Sequence, residues 1–402
     1  MAETHNIVLL GASFAGINAA HYLLRHVLPS LSSLPAPPNY TVTLVSTSTH
    51  LYWTIGAPRA MVSNTLLPAS KTFLPIAEGF DSYPTSIFKF LHARASALDP
   101  SSRTVTLTPL SGDAPTALHY DVLIVATGTT SANHLWTVSE GHEKTIAAYE
   151  DIHRRLPSAQ SVLIAGGGAA GVETAGEMGS EYGVSKSHQQ PQKKMTLLSG
   201  STQLLSSLQR KMLGIEAEKI LKGMGVAVVH GVKVISVEKG PGEQTTLGKS
   251  DGTTEVVDVY VDATGLKPNT DFLPAAWVDT NGRVRCDEKS LRIETAEGTV
   301  VDRVYALGAV ASYSNGGVLD VWDPIPVLMG NLMLDVSKGM VGKESAYQRK
   351  AETMLVPVGR SKGVGVVFGW GVPSLMVWGI KGRTYMIDQL KGERDGVKVK
   401  SR

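Results

Sequence analysis

Two glycine-rich turns, 155 residues apart, constrain this chain more than any other feature of its sequence. The first is Gly11-Ala12-Ser13-Phe14-Ala15-Gly16, and the second is Gly166-Gly167-Gly168-Ala169-Ala170-Gly171. Each turn follows an apolar run and precedes a helical pattern. Glycine permits the sharp bend, small residues let the backbone approach a pyrophosphate, and the last glycine allows close packing of helix and strand. The spacing predicts that one βαβ unit occurs twice, at the distance of whole domains.

Apolar runs alternate with helical patterns elsewhere in the chain, which favours a mostly parallel sheet. We expect an α/β fold with two Rossmann-type dinucleotide-binding domains, the second inserted in the first, and a small C-terminal domain. A helix is predicted from Phe14 to Val27, and Pro29–Asn39 is predicted to be a surface loop. A second loop is predicted at Ser185–Lys194, and Glu238–Thr254 is expected to form a hairpin or an exposed loop. Strands are predicted at Asn6–Leu10, Thr41–Val45, Tyr120–Ala126, Ser161–Ala165, Met195–Leu198, Val226–Val229, Val256–Asp262 and Arg303–Leu307.

The composition excludes several classes of protein. With 402 residues and 43% hydrophobic residues, the chain can bury the cores of two or three domains. A net charge of +2 with both signs scattered gives no basis for nucleic-acid binding. Cys286 is the only cysteine, so a Cys-x-x-Cys redox pair is absent. The pattern of a secretory or mitochondrial signal is also absent, which predicts a cytoplasmic protein.

The strand ends carry a second repeated motif. Ala126-Thr127-Gly128 and Ala263-Thr264-Gly265 each end a predicted strand, and each comes after one of the glycine turns. A small residue and a glycine at such a position let the chain pass close to a cofactor or cross between domains. Two dinucleotide sites in one chain imply two cofactors, and the common pairing is a flavin with a nicotinamide.

The order of these motifs resembles the pyridine nucleotide-disulfide reductase superfamily. Within it, the chain is similar to the ferroptosis-suppressor and apoptosis-inducing-factor-like branch, which is related to type II NADH dehydrogenases. Ala57-Pro58-Arg59, Lys71-Thr72-Phe73 and Val356-Pro357-Val358-Gly359 support the resemblance, which covers nearly the whole chain.

The resemblance implies where the cofactors and the reactive groups lie. NADH or NADPH would lie on the second turn, and Glu173 would stand where the flavin and the nicotinamide meet, with Lys71 as its candidate ionic partner. The alternative is that Glu173 is an ordinary carboxylate in the first turn of a helix. The residues assigned to FAD are Gly11, Ala12, Ser13, Phe14, Ala15, Gly16, Arg59, Thr127, Gly128, Gly308 and Ala309, and those assigned to NAD(P)H are Gly166, Gly168, Gly171 and Gly265.

The sequence departs from the family pattern at three strand ends. Ser46 replaces the Asp or Glu that holds the adenosine ribose of FAD, and Ala309 replaces the Asp of a Gly-Asp pair. Each lost charge-assisted hydrogen bond is worth about 1.5–3 kcal/mol, so we expect FAD to be held less tightly. The third departure is Leu198-Ser199-Gly200-Ser201, which has no carboxylate to bind the 2′-hydroxyl of the nicotinamide nucleotide. The choice between NADH and NADPH stays open, with Arg210 and Lys211 as candidate contacts of a 2′-phosphate.

The C-terminal segment Val364–Ile380 is uncharged over 17 residues and lies between two lysines. Three interpretations of this segment compete. It is a buried strand and turn or a dimer surface, it is a peripheral contact with an intracellular membrane, or it is a spanning helix. In the membrane-contact interpretation, Trp370 and Trp378 would be interfacial anchors.

We expect an FAD domain from residues 1–145 and 285–350, an NAD(P) domain from 146–284 and a C-terminal region from 351–402. The expected reaction transfers hydride from NAD(P)H to FAD and then electrons to a quinone-like acceptor, a lipid quinone among them, or to oxygen. The alternatives are a flavoenzyme that oxidises a small metabolite in a biosynthetic pathway, and an FAD-poor relative that works as a binding or scaffold protein.

Overall fold

The computed structural model describes residues 4–138, 140–184, 192–317 and 319–399. Most of the predicted loop Ser185–Lys194 lies outside these residues, and its last residue, Lys194, begins a strand.

The first glycine turn belongs to an eight-stranded sheet. Five parallel strands form its centre, and antiparallel strands flank them on both sides. The three innermost strands are mostly buried on both faces, which explains why they appear in the sequence as continuous apolar runs. In spatial order the strands are Arg292–Glu294, Val300–Ala306, Val122–Val125, Thr4–Leu10, Asn39–Ser46, Phe88–Asp99, Thr104–Pro109 and Thr116–His119.

The second glycine turn belongs to a separate four-stranded parallel sheet. Its strands, in spatial order, are Val226–His230, Lys194–Ser199, Ser161–Ala165 and Val259–Asp262. An antiparallel sheet of three strands covers it, formed by Val234–Lys239, Thr245–Lys249 and Thr254–Val257. The hairpin predicted within Glu238–Thr254 is therefore confirmed. The strand predicted from Val256 to Asp262 is two strands, because Asp258 leaves the ladder and its carboxylate accepts hydrogen bonds from the backbone N–H groups of Gln160 and Ser161.

The helix predicted from Phe14 is confirmed, but it extends further than predicted. Phe14–Tyr22 continues through a wider helical turn, Leu23–Val27, into Leu28–Ser32. The loop predicted to begin at Pro29 is wrong over these residues, because Pro29 lies in the first turn of a helical segment, where the missing N–H is tolerated. The other α-helices are Ala57–Val62, His142–Arg155, Ala169–Tyr182, Lys211–Gly223, Leu319–Trp322, Ile325–Val336, Ser374–Val377 and Leu390–Arg394.

The apolar C-terminal segment is a small sheet followed by a helix. Strands Met354–Pro357, Gly363–Val367 and Trp370–Gly371 are antiparallel. Ser374–Val377 then continues through the wider turn Trp378–Gly382. Within the described part of the chain, none of the helices has the length and apolar character needed to cross a bilayer.

Two short strand pairs complete the architecture. Thr129–Ser131 pairs with Leu266–Pro268, directly after the two Ala-Thr-Gly segments, and His50–Tyr52 pairs with Phe73–Pro75. Because Arg292–Glu294 and Val300–Ala306 return to the first sheet, we propose the division 1–145 with 285–350, 146–284 and 351–402 as the domain organisation.

Candidate active site

The two glycine turns have the same local geometry. The backbone N–H of Gly11 donates to the carbonyl of Val45 at 2.8 Å, and that of Gly166 donates to the carbonyl of Leu198 at the same distance. Both glycines have positive φ, +106° and +124°. The equivalence predicted from the sequence therefore extends to individual hydrogen bonds.

The Ala-Thr-Gly segments explain why Gly11 and Gly166 must be glycine. A side chain at Gly11 would overlap the carbonyl oxygen of Ala126, and one at Gly166 would overlap that of Ala263. The third glycine of each turn is equally confined, since a side chain at Gly171 would overlap the carbonyl oxygen of Gly166. Each tripeptide therefore closes against its own turn.

One large cleft, of about 1370 Å³, runs between the two sheets. Its walls include the first glycine turn, both Ala-Thr-Gly segments, the start of helix Ala169–Tyr182 and the C-terminal Lys381. The predicted site residues that line it are Gly11, Ala12, Ser13, Phe14, Ala15, Thr127, Gly128, Gly265, Ala309 and Glu173. The cleft thus joins the two expected nucleotide sites into one space.

The first turn fits the pyrophosphate of a dinucleotide. Ser13 begins helix Phe14–Tyr22 without capping it through its side chain, so the free N–H groups of the helix face the cleft. Gly308 supports this turn from behind, since its added Cβ would lie 3.0 Å from the Cβ of Ala15. At the ribose end, the Oγ of Ser46 accepts a hydrogen bond from the N–H of Ser48 at 3.1 Å. The backbone cradle for FAD is present, and the two carboxylates are replaced as the sequence indicates.

Several predicted residues lie behind the cleft wall. Gly16, Gly166 and Gly171 pack inside their turns, where they set the shape of the wall without forming it. Gly168 is the exposed residue that begins helix Ala169–Tyr182, where no side chain caps the free N–H groups. Gly16, Gly166 and Gly171 leave no room for a side chain, as expected of glycine in such a turn.

Glu173 forms an ion pair in the cleft with Lys381. The Nζ of Lys381 lies 2.6 Å from Oε1 of Glu173 and also donates to the carbonyl of Leu355 at 3.2 Å. Only 3% of Glu173 is exposed. Burial raises the pKa of its carboxyl above the usual value, and Lys381 opposes that shift. The pair places one negative and one positive group where the two halves of the cleft meet.

The predicted pairing of Glu173 with Lys71 is wrong. Lys71 lies in the single turn Ala69–Thr72 with an exposed side chain, and it is not part of the cleft wall. The turn is fixed by the hydrogen bond from the N–H of Lys71 to the carbonyl of Pro68. Lys381 takes its place because the turn Trp378–Gly382 packs against the strand that contains Leu355. In the sequence, Lys381 served only as the boundary of the apolar segment.

Arg59 does not line the cleft either, although its neighbour Pro58 does. Its guanidinium is buried and binds both carboxylate oxygens of Glu177, at 2.7 and 3.2 Å. It also donates to the carbonyl of Arg383 at 2.8 Å and lies over the ring of Tyr385. Arg59 therefore joins helix Ala57–Val62 to helix Ala169–Tyr182 and acts on the site through this packing.

The sequence interpretation missed an aromatic wall of the cleft. Trp136 lines it, and its indole N–H donates to the carbonyl of Asp262 at 2.5 Å. Tyr52 lines it as well, and its hydroxyl donates to the carbonyl of Leu135 at 2.6 Å. No motif in the sequence marks these residues, because they lie in loops and short strands that only the fold brings together.

The profile of the family described as pyridine nucleotide-disulphide oxidoreductase matches residues 5–332. The chain is 34% identical over 406 residues to Oxidoreductase phnG of Penicillium herquei, covering 96% of this chain and 95% of that one. It is 26% identical to ferroptosis suppressor protein 1 of Homo sapiens, covering 95% and 94%.

Among solved structures, a similar fold is that of the sulfide:quinone oxidoreductase from Aquifex aeolicus. Its TM-score is 0.72 at 14% identity, with 97% of this chain and 92% of that chain covered. The water-forming NADH oxidase from Lactobacillus brevis, bound to NADH, has a TM-score of 0.65 at 16% identity, with 90% and 74% covered.

Proposed function

This chain belongs to the pyridine nucleotide-disulphide oxidoreductase family, and we propose that it passes electrons from NADH or NADPH, through bound FAD, to a quinone-like acceptor. It is an FAD-dependent NAD(P)H oxidoreductase. The observation that supports the proposal most directly is the single cleft, because two nucleotides held on the two glycine turns would meet inside it. FAD supplies a centre that accepts a hydride and releases its electrons to a second substrate.

The residues of the chain bind, orient and screen the reactants. The backbone of Gly11–Ala15 and the start of helix Phe14–Tyr22 hold one pyrophosphate, and the start of helix Ala169–Tyr182 holds the other. Glu173 and Lys381 stabilise charge at the junction, where their burial strengthens the electrostatic effect. Trp136 and Tyr52 narrow the cleft and exclude water from it.

The acceptor is inferred from the chemistry that the chain lacks. Its one cysteine, Cys286, is buried beside Ser312 and is not part of the cleft wall. Electrons therefore leave through direct contact with a small acceptor and not through a protein dithiol. An aromatic wall suits a flat ring such as a quinone.

The test is the visible spectrum of the purified protein, followed by anaerobic mixing with NADH or NADPH and then with a short-chain quinone. We expect a flavin spectrum, bleaching by the nucleotide, and restoration by the quinone faster than by oxygen. A colourless protein whose melting temperature ignores excess FAD would contradict the proposal, because a ligand at 100 times its Kd adds about 2.7 kcal/mol. Rapid bleaching without restoration by any quinone would mean that the reduced flavin passes its electrons to another acceptor, whereas a flavin that neither nucleotide bleaches would favour the oxidation of a small metabolite.

Two glycine variants make this test specific. Gly171→Ala places a methyl group against the carbonyl of Gly166, whereas Gly223→Ala adds one on another helix, where it meets no atom within 4 Å. We expect Gly171→Ala to keep the flavin spectrum and lose rapid bleaching by NAD(P)H. Gly223→Ala should behave as the unaltered protein.

We also propose that the C-terminal segment contacts a membrane surface, where a lipid quinone would be dissolved. Trp370 and Leu375 are about three-quarters exposed, at 75% and 73%, and Phe368 is exposed beside them. Lys362 and Arg383, both exposed, flank this apolar surface in the sequence and would favour anionic headgroups.

Co-sedimentation with anionic liposomes tests the membrane contact. Phe368, Trp370 and Leu375 replaced together by Ser should release the protein, because each large side chain contributes about 1.5–3 kcal/mol when fully buried. The matched control replaces Ile235, Val237 and Val256, which are exposed on the antiparallel sheet of the second domain. If the original protein stays in the supernatant, the membrane contact is wrong. If the first variant turns a dimer into a monomer, the surface is a subunit interface.

A further inference from the structure

The far end of the second nucleotide site contains two lysines that the proposed reaction does not use. Strand Lys194–Ser199 ends beside the second glycine turn, where the adenosine ribose of a nucleotide lies in Rossmann-type folds. A carboxylate at this strand end selects the 2′-hydroxyl of NADH, and a cation nearby accommodates the 2′-phosphate of NADPH. Here the strand ends in Ser199 and Gly200.

Lys233 occupies the space that a side chain at Gly200 would fill. An added Cβ at Gly200 would lie 3.0 Å from both Cγ and Cε of Lys233. The backbone of Lys233 is fixed on both sides, because its N–H donates to the Oγ of Ser250 at 2.9 Å and its carbonyl accepts from the N–H of Ser250 at 2.8 Å. The path of the Lys233 side chain over the end of the strand therefore follows from the fold.

Lys211 reaches the same turn from the other side. Its Nζ donates to the carbonyl of Ser206 at 3.1 Å, and the Oγ of Ser206 donates to the Oγ of Ser201, the residue after Gly200. In the described part of the chain, neither Lys211 nor Lys233 forms an ion pair with a carboxylate. The side chain of Lys233 therefore lies against Gly200, and Lys211 is linked through Ser206 to Ser201, the next residue.

The other charged groups of this edge are already engaged. Glu218 is bound by Lys222 at 2.7 Å and by His230 at 2.8 Å, and the hydrogen bond from Lys222 lowers the pKa of its carboxyl. Arg210, a candidate phosphate contact in the sequence, donates to the carbonyl of Gly369 and is held by the C-terminal hairpin. The lysines that contact the strand end and the turn after it are Lys233 and Lys211.

We propose that Lys233 and Lys211, at the bare strand end of Gly200, form a binding site for the 2′-phosphate of an adenosine nucleotide and make NADPH the preferred reductant. The inference rests on the proposed function only in taking the second turn as the nicotinamide nucleotide site. The phosphate would lie where an acidic side chain would otherwise stand. Charge-assisted hydrogen bonds from two lysines supply the selectivity.

The test measures binding of adenosine 2′,5′-bisphosphate and of 5′-AMP to FAD-saturated protein by calorimetry, so that turnover is not needed. We expect the bisphosphate to bind at least tenfold more tightly, and the difference to shrink as salt is added. Lys233→Gln should weaken the bisphosphate about tenfold and leave 5′-AMP unchanged. Lys239→Gln is the matched control, since it removes the same charge from the other end of strand Val234–Lys239, about 20 Å away.

Substitution at Gly200 tests the same site in the opposite direction. Gly200→Asp should reverse the preference, because the carboxylate repels the 2′-phosphate and can accept a hydrogen bond from a 2′-hydroxyl. Gly200→Ala adds the Cβ without the charge and should keep most of the preference, with Lys233 shifting slightly.

Three outcomes would overturn the inference. If both fragments bind equally and Lys233→Gln changes neither, the lysines do not select, although the reduction of FAD by NADH would leave the proposed function intact. If Lys239→Gln weakens the bisphosphate as much as Lys233→Gln, the effect is general charge. If neither fragment binds and neither nucleotide bleaches the flavin, the nucleotide site itself is wrong, and the proposed function fails with it.

Discussion

At the scale of single residues, the ion pair of Glu173 and Lys381 is the charged centre of the cleft. Glu173 comes from the helix that begins at the second glycine turn, and Lys381 comes from the C-terminal region. The side chain of Glu173 is 5% exposed and that of Lys381 is 18% exposed, so removal of Lys381 leaves the carboxylate buried with an uncompensated charge. The pair is therefore sensitive to conservative substitution.

We predict that Glu173→Gln slows the reduction of bound FAD by NAD(P)H at least tenfold while FAD stays bound. The amide keeps the shape of the carboxylate but cannot neutralise Lys381, so the charge at the junction changes. Stopped-flow absorbance under anaerobic conditions measures the rate. Glu181→Gln is the matched control, because Glu181 lies on the same helix and pairs with the C-terminal Arg360 outside the cleft. Equal rates for both variants would make Glu173 an ordinary helical carboxylate.

At the scale of elements, the last helix, Leu390–Arg394, packs against helix Phe14–Tyr22, which begins at the first glycine turn. Glu393, fully buried, accepts hydrogen bonds from the side-chain amide of Asn18 and the indole of Trp322. His21, on the same helix as Asn18, stacks on Phe80 with ring centres 4.2 Å apart and contacts the carbonyl of Arg394 at 2.8 Å. The last helix, Leu390–Arg394, therefore fixes the element that begins at the predicted FAD site.

We predict that His21 makes the free energy of unfolding fall as pH drops from about 6.5 to about 4. Burial lowers the pKa of His21 to about 4, and the hydrogen bond to Arg394 only partly opposes this. The unfolded chain, with an ordinary pKa of about 6.5, takes up a proton first, so stability present above that pH is lost below it. The loss from this residue is at most about 3 kcal/mol.

Urea unfolding across this pH range, with His21→Gln beside the unaltered protein, measures the effect. The variant cannot titrate, so its stability should fall less steeply between pH 6.5 and pH 4. His119→Gln, at an exposed histidine, is the control and should follow the unaltered protein. Parallel curves for the unaltered protein and His21→Gln would contradict the prediction.

At the scale of the whole molecule, a buried ion pair connects the two halves of the chain. Arg59 lies between the first and second glycine turns in the sequence, and Glu177 lies on the helix that follows the second. Their side chains are almost fully buried, and the hydroxyl of Tyr385 adds a hydrogen bond to Glu177 at 3.3 Å. The contact joins the helix that carries Glu173 to helix Ala57–Val62 and, through Tyr385, to the C-terminal region.

We predict that Arg59→Met lowers the free energy of unfolding by about 3–5 kcal/mol, because it leaves Glu177 buried without a partner. The double variant Arg59→Met with Glu177→Gln should recover part of this loss. Arg360→Met breaks the more exposed ion pair with Glu181, which lies on the same helix as Glu177. This change should lower the free energy of unfolding by about 1 kcal/mol or less. Denaturant unfolding measures all three. A double variant as unstable as Arg59→Met alone would show that packing, and not charge, sets the cost.

The predictions around the two glycine turns, which depended on neighbouring residues in the sequence, were accurate. The two glycine turns, the strands that lead into them and the helices that follow were predictable, because bend, strand and helix are local properties of the backbone. The Ala-Thr-Gly segments were also identified at strand ends, and the short strands that follow them pair with each other. The assignment of cofactors follows from these same local motifs.

The partners of the charged residues were decided by the tertiary structure alone. Glu173 and Lys381 are 208 residues apart, and Arg59 and Glu177 are 118 apart. The sequence does not show that Lys381, and not Lys71, pairs with Glu173. A lysine can lie beside a carboxylate in space without lying near any family motif in the chain. Only the packing of the C-terminal turn against strand Met354–Pro357 brings Lys381 to the cleft. The sequence by itself determined the two glycine turns and the strands and helices around them, because these are local properties of the backbone, and the fold determined which charges meet, because ion pairing depends on distance in space.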